Sequence, residues 1–394
     1  MKQQTSQRAG LYVTQPNRYK AFIPSELPPS SPSVEINGPM QVLLSQADRE
    51  LGRLDGSIQT LPNPDLFVFM YIRKEALLSS QIEGTQSSLQ DVLAAEAKVF
   101  KPQPNSDAYE VLNYISAMNY GLERLHELPV STRLIMEIHE KLLYQVRGYP
   151  LSPGELRRTQ NWIGPAGSLI NDAVFVPPPP HEIPQLLSNL EKFIHYDNTL
   201  PLLIKIALIH AQFETIHPFL DGNGRVGRLL ISFLLFEQKV LQKPVLYLSL
   251  YFKEHRRQYY ELLQNVRDHG QWEEWLLFFL RGIINVSHQA TQMIREIQAL
   301  RESHRERLIQ NLGRSGSNGL KVLEHLFSTP FITVKEIQKL TQTSYPAANN
   351  LIEKFTALGI LQEITGRTRN RIYVYRKYLS IIENVEVPDI SDSL

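Results

Sequence analysis

From about residue 40 to residue 310, apolar positions recur at intervals of three and four, the spacing that places them on one face of a helix. The pattern predicts helices over 40–55, 65–83, 88–99, 106–126, 131–144, 183–196, 200–216, 225–238, 253–268, 271–285 and 288–310. It breaks at 160–180. Asn161-Trp162-Ile163 and Ala173-Val174-Phe175-Val176 there read as two short strands about a polar turn, and Pro177 to Pro180 then exclude helix and sheet alike. Residues 1–38, rich in Pro, Ser and Gln, show little periodicity and read as an extended arm. The glycines at 313, 316 and 319 mark a flexible joint. Beyond it, helices over 318–327, 334–341 and 345–358 give way to strands at 360–364 and 371–375 around a turn at 366–370. The chain is therefore expected to be mainly α, in three parts: an arm with a helical extension (1–60), a helical body with one short β-hairpin at 161–176 (61–312), and a small mixed domain with its tail (313–394).

Composition narrows the class without naming a function. The 394 residues exceed what one core usually covers. With 42% hydrophobic and 21% charged residues and a net charge of +1, nothing global demands nucleic acid or membrane, so any basic surface must be local. The absence of cysteine excludes disulfides, thiolate catalysis and cysteine-held zinc, and suits a reducing, cytoplasmic setting. The first residues lead into no apolar signal run, and no stretch of about 18 apolar residues predicts a membrane span.

The candidate chemistry is concentrated in one corner, His217-Pro218-Phe219-Leu220-Asp221-Gly222-Asn223-Gly224-Arg225-Val226-Gly227-Arg228, between two helical stretches. A loop ending at a helix N-terminus offers unpaired N–H groups and the positive end of the macrodipole. Gly222 and Gly224 let consecutive N–H groups aim at one anion, which makes a phosphate cradle. Arg225 and Arg228, three apart on the following helix, share a face and can reach the same phosphate chain. Asp221 is a hard oxygen ligand beside it, suited to magnesium held by a carboxylate and substrate phosphates. His217 is the one group here whose ordinary pKa lies near neutrality, hence the natural general base. Gly222-x-Gly224-x-x-Gly227 also matches the dinucleotide-binding spacing, but that fingerprint requires a preceding strand, and the residues before it are helix-periodic.

Residues 217–228 resemble the signature of the Fic family, H-x-F-x-[DE]-G-N-G-R-x-x-R, at every specified position, and the resemblance extends over about 60–300. It implies a Fic-type helical bundle and transfer of AMP from ATP to a protein hydroxyl. His217 would be the base. Asp221, Gly222, Asn223, Gly224, Arg225, Val226, Gly227 and Arg228 would contact the nucleotide, with Mg2+ (or Mn2+) on Asp221 and the γ-phosphate on Arg228. The Gly-Asn-Gly form favours AMP transfer over phosphorylation.

Glu83 ends a predicted helix before Gly84, where a carboxylate opposes the macrodipole and wants a cation. Ser79-x-x-x-Glu83-Gly84 resembles the Fic inhibitory motif, which implies a pair between Glu83 and Arg228 that misaligns ATP. A hairpin beside a site can pair with an extended peptide; the resemblance assigns that flap to 168–176, with Ile170, Ala173, Val174 and Phe175 docking a target protein. It also implies a tyrosine of the Tyr259-Tyr260 pair at the adenine, Arg267 within reach, and a homodimer. The C-terminal pattern resembles a winged helix, with Arg367, Arg369 and Arg371 at the hairpin tip placed for DNA, or a surface for another protein. Three readings stand: an autoinhibited adenylyltransferase acting on Tyr, Thr or Ser of targets and of itself; a nucleotide-sensing DNA-binding regulator; and a Fic enzyme of other chemistry, such as UMP or phosphocholine transfer or AMP removal.

Overall fold

The computed structural model describes residues 8–61, 64–96, 107–144, 152–165 and 167–383. By backbone proximity they fall into two compact units, one drawn from 1–55, 75–87 and 102–288, the other from 56–74, 88–101 and 289–394.

In the first unit the arm is not featureless. Strands β1 (Gly10–Thr14) and β2 (Lys20–Pro24) pair antiparallel, Leu11 opposite Ile23 and Val13 opposite Ala21. Helix α1 (Gly38–Gln59) follows, and this unit also takes the second half of α2 (Pro64–Ile82); α3 (Leu89–Glu96) belongs to the second unit, and the expected residues 97–99 lie outside the described ones. Helices α4 (Asp107–Arg124), α5 (Thr132–Leu142), α6 (Ile183–Tyr196), α7 (Leu202–Ile216) and α8 (Asn223–Glu237) build the core. Helix α7 is mostly apolar, and every residue from Leu203 to Ile216 is buried, so it is the central post. Helix α8 packs along it and also meets α4, where Gly121 lies against the Phe233 ring with no room for a Cβ. The predicted helix 253–268 is two, α9 (Ser249–Glu254) and α10 (Arg256–His269), bent at His255.

The predicted helices 271–285 and 288–310 are one, α11 (Trp272–Leu312), because nothing between them breaks a helix. Trp275 donates its indole N–H to the Ala207 carbonyl (2.9 Å), a polar tie that justifies a fully buried tryptophan.

The second unit contains α12 (Gly316–Ser328), β3 (Phe331–Thr333), α13 (Val334–Thr341), α14 (Tyr345–Ala357), β4 (Gln362–Glu363), β5 (Ile372–Val374) and α15 (Arg376–Glu383). The strands form one antiparallel sheet in the order β3-β5-β4. Strand β3 was not visible in the pattern: it has three residues and runs straight into a capping box, Thr333 with Glu336, that opens α13. Residues 313–319 are not a free joint either. A 3-10 turn at Gly313–Ser315 leads directly into α12. Among the described residues no helix is long and apolar enough to cross a membrane.

Candidate active site

Helix α7 ends at His217, whose backbone sits at φ 50, a left-handed shape uncommon outside glycine. The reversal is held from outside. Arg157 donates from Nε to the His217 carbonyl and from its backbone N–H to the Pro218 carbonyl, both at 2.9 Å. Asn223 then closes the loop on itself, accepting from the Phe219 N–H (2.9 Å) and donating to the Phe219 carbonyl (2.8 Å). Its side chain is spent on shaping the corner, so only its backbone is available to a ligand. The Phe219 ring stacks on His139 at 3.7 Å between centroids. His139 Nδ1 accepts from the Gly154 N–H (2.8 Å), so Nε2 carries the proton and donates to the Asp221 carbonyl (3.0 Å). Gly222 takes φ 80 and opens α8 without a side-chain cap, so the first N–H groups of that helix have no partner within it, and Gly222, Asn223 and Gly224 line a cleft.

These groups form one end of a cleft of about 630 Å3. His217, Asp221, Gly222, Asn223, Gly224 and Arg228 line it, with Glu83 opposite and Trp162, Ile163, Val174 and Phe175 along the rim. The far wall is Tyr259, Tyr260, Leu263, Gln264 and Arg267. His217 is half-buried with Nδ1 turned inward, which leaves Nε2 toward the cleft. Arg228 is 2% exposed and triply engaged: Nη2 donates to Glu83 Oε1 (2.7 Å) and to the Ser79 carbonyl (3.0 Å), and Nε donates to Ser79 Oγ (2.8 Å). A Cβ on Gly224 would strike both Glu83 Oε1 and Arg228 Nη1, so that glycine is what lets the pair close over the helix end. Glu83 lies just past the last residue of α2, before Gly84 at φ 106.

Not every residue expected in the site faces the cleft. Arg225 is buried against Glu110 (3.3 Å) and stands 3.5 Å from Asp221, so it acts behind the loop. Val226 points into the core, and Gly227 meets Glu214, whose Oε1 a Cβ would hit; neither lines the cleft. Tyr259 is buried, its hydroxyl donating to His210 Nε2 (2.9 Å), while Tyr260 is 42% exposed. The expected strands at 161–163 and 173–176 are reduced to a single bridge, Ile163 with Phe175, because glycine and proline at 164 and 165 and the proline run from 177 end the ladder on both sides. Ile170 lies in a 3-10 turn, Ala173 is half-buried, Val174 is exposed and Phe175 is buried. Sequence reasoning missed Arg157, His139 and Glu214. No local signal marks the first two, whose roles arise only when loop 152–160 and α5 reach the corner. Glu214 had one: the single carboxylate of the mostly apolar α7, three residues before His217.

The comparisons with known proteins agree on this core. The Fic/DOC family N-terminal model matches residues 41–123 and the Fic/DOC family model residues 129–235. The chain belongs to the Fic/DOC family. It is 29% identical over 175 residues to a probable protein adenylyltransferase of Aquifex aeolicus, covering 44% of this chain and 51% of that one. It is 31% identical over 183 residues to the protein adenylyltransferase Fic of Drosophila grimshawi, covering 46% and 33%. The chain thus spans between a third and about half of the length of these relatives. A Fic family protein from Desulfovibrio desulfuricans shares the fold at TM-score 0.58 and 19% identity over 87% of this chain and 97% of its own.

The electrostatics of this Fic site follow from burial. The His217 imidazole is pushed down to about 3 by burial, then by the Arg157 and Arg267 guanidinium groups, so it is neutral and able to accept a proton. Burial raises the Glu214 carboxyl to about 7, opposed by Arg228 and reinforced by Glu83. Burial works against the charge on Arg228, and Glu83 heads the neighbours that outweigh it and raise its pKa. Among the described residues no cluster of three or more His, Cys, Asp or Glu could cage a metal alone. Asp221 offers one carboxylate at the cleft, the donor set of an ion held partly by substrate phosphates.

Proposed function

We propose that this chain is an autoinhibited protein adenylyltransferase. The observation that carries the reading is a neutral imidazole beside a helix N-terminus that lines the cleft, with the second motif arginine tied to Glu83. A triphosphate seats on the N–H groups at the start of α8, where backbone donors and the helix dipole favour an anion. The acceptor hydroxyl of a Tyr, Thr or Ser gives its proton to His217 Nε2. Its oxygen attacks the α-phosphorus in line, the Pα–O bond to the β-phosphate breaks, and pyrophosphate leaves. Arg228, once free of Glu83, holds the terminal phosphate; Arg225 steadies Asp221 from behind. Asp221 would hold Mg2+ or Mn2+, which neutralises phosphate charge when bound. Val174, exposed at the rim, would register an extended target segment.

The test is incubation with α-labelled ATP, Mg2+ and cell lysate, followed by gel and mass spectrometry. Protein-bound AMP is expected with wild type and is enhanced in Glu83→Gly. His217→Ala should abolish it while ATP binding by calorimetry stays within about twofold, since the imidazole acts on the acceptor rather than on the phosphates. Label delivered only from γ-labelled ATP would replace this reading with phosphorylation.

The second unit supports a separate binding function. The β4–β5 turn carries Arg367 and Arg369, both exposed, beside Arg371, and α14 exposes Tyr345 and Asn350. Helices followed by a basic hairpin suit a winged-helix module that meets a DNA backbone.

A further inference from the structure

The flap is too poorly paired to hold itself. An isolated two-stranded hairpin is at best marginal in water, and this one has a single bridge. Its order must come from outside, and the structure shows where. The Phe22 N–H on β2 donates to the Val176 carbonyl (2.9 Å), and the Phe22 ring lies 6.1 Å from Phe175. On the other side of Phe175 sits the Arg267 guanidinium, 3.9 Å from the ring centroid. Tyr12 on β1 meets the Phe22 ring edge-on at 5.0 Å and donates its hydroxyl to Asp268 (2.8 Å). Gln264 donates to Asp268 (3.0 Å) and to the Tyr12 hydroxyl (3.4 Å) and accepts from Arg267 (3.3 Å), so the hydroxyl of Tyr12 meets the cleft wall both directly and through Asp268. The hairpin is itself anchored: Arg8 makes a bidentate pair with Glu273 (2.6 and 2.8 Å), and Gln212 of α7 donates to the Ser25 carbonyl (2.8 Å).

We infer that the β1–β2 hairpin is a brace for the active site, with Tyr12 and Phe22 as positioning residues for the nucleotide wall and for the flap. The hairpin lies outside both stretches matched by the family models, so this support belongs to the chain's own arm. Its role at the nucleotide wall rests on the adenylyltransferase reading; its role at the flap does not.

Two conservative variants separate the parts. Tyr12→Phe keeps the ring and removes the bonds to Asp268 and Gln264. It should weaken Mg–ATP binding, measured by calorimetry, roughly fivefold, equivalent to about 1 kcal/mol. Phe22→Leu should leave that affinity unchanged and speed amide hydrogen exchange at Ile163, Val174 and Phe175 by roughly tenfold, the opening of a locally supported segment. A lowered Tm in both variants, with unaltered ATP affinity and unaltered flap exchange, would overturn the brace and leave only a structural role. Wild type that binds no ATP would instead defeat the nucleotide reading, while the exchange measurement would still decide the flap.

Discussion

His217 and Glu214 stand three apart on the same end of α7 and are perturbed in opposite senses by the same burial. For Glu214 the folded value, about 7, lies above the ordinary 4.5. The folded chain keeps a proton there that the unfolded chain has released, so this stabilisation is complete below about pH 4.5 and is lost as pH rises through about 7. Glu214→Gln cannot ionise. Its Tm relative to wild type should therefore climb between pH 5 and pH 8 by a few degrees, the scale of roughly 1 kcal/mol in a domain of this size. A difference that stays flat with pH would mean that the carboxyl is not held neutral in the fold. The 217–228 motif was legible because its residues are neighbours in sequence and their types carry the chemistry. Its division of labour was not. That Asn223 is consumed by the loop, and that Arg225 turns toward Glu110, depends on what packs behind the corner, which spacing along one helix cannot report.

At the scale of elements, α2 is the informative case. Glu75 and Ser79, four apart, put their side chains on one stripe of the helix, and Glu83 continues that spacing just beyond its end. Tyr114 and Ser249 donate to Glu75, while Ser79 and Glu83 share Arg228. Arg228 is thus held at the C-terminal end of α2 by Ser79 and Glu83 together rather than by one contact. A charge-assisted hydrogen bond is worth about 1.5–3 kcal/mol, so releasing Glu83 frees the arginine by roughly ten- to hundredfold. Glu83→Gly should raise self-labelling with AMP by about that factor, and Ser79→Ala, which removes a neutral acceptor, by only about two- to fivefold. Equal rates in wild type and Glu83→Gly would remove the brake. Amphipathic helices such as α5 and α6 were readable from periodicity because each buries one face against its neighbours. The β1–β2 pair was not readable. Its strands are five residues long, and what selects them is contact with Phe175 and α10, far away in sequence.

The whole chain reaches well beyond the family core, with residues 8–40 before it and 236–383 after it. The composition could not decide what the last unit does: a net charge of +1 over 394 residues hides any local footprint. The structure concentrates that footprint on one turn. Arg367 and Arg369 are exposed and Arg371 leans over the Tyr373 ring (5.8 Å), so two cations are free of the sheet and one is shared with it. Each phosphate neutralised contributes about 0.9 to the salt slope of duplex binding, whatever the sequence. If the turn meets DNA, the Arg367→Ala, Arg369→Ala double variant should bind a random duplex more weakly at 50 mM salt, with a slope smaller by about 2. Because neither arginine lies on the cleft, AMP transfer by that variant should match wild type. An unchanged slope, or no duplex binding by wild type at low salt, would assign this face to a protein partner instead. In that case the exposed Tyr345 on α14 becomes the residue to test, since a half-exposed tyrosine suits the centre of a protein interface better than contact with phosphates.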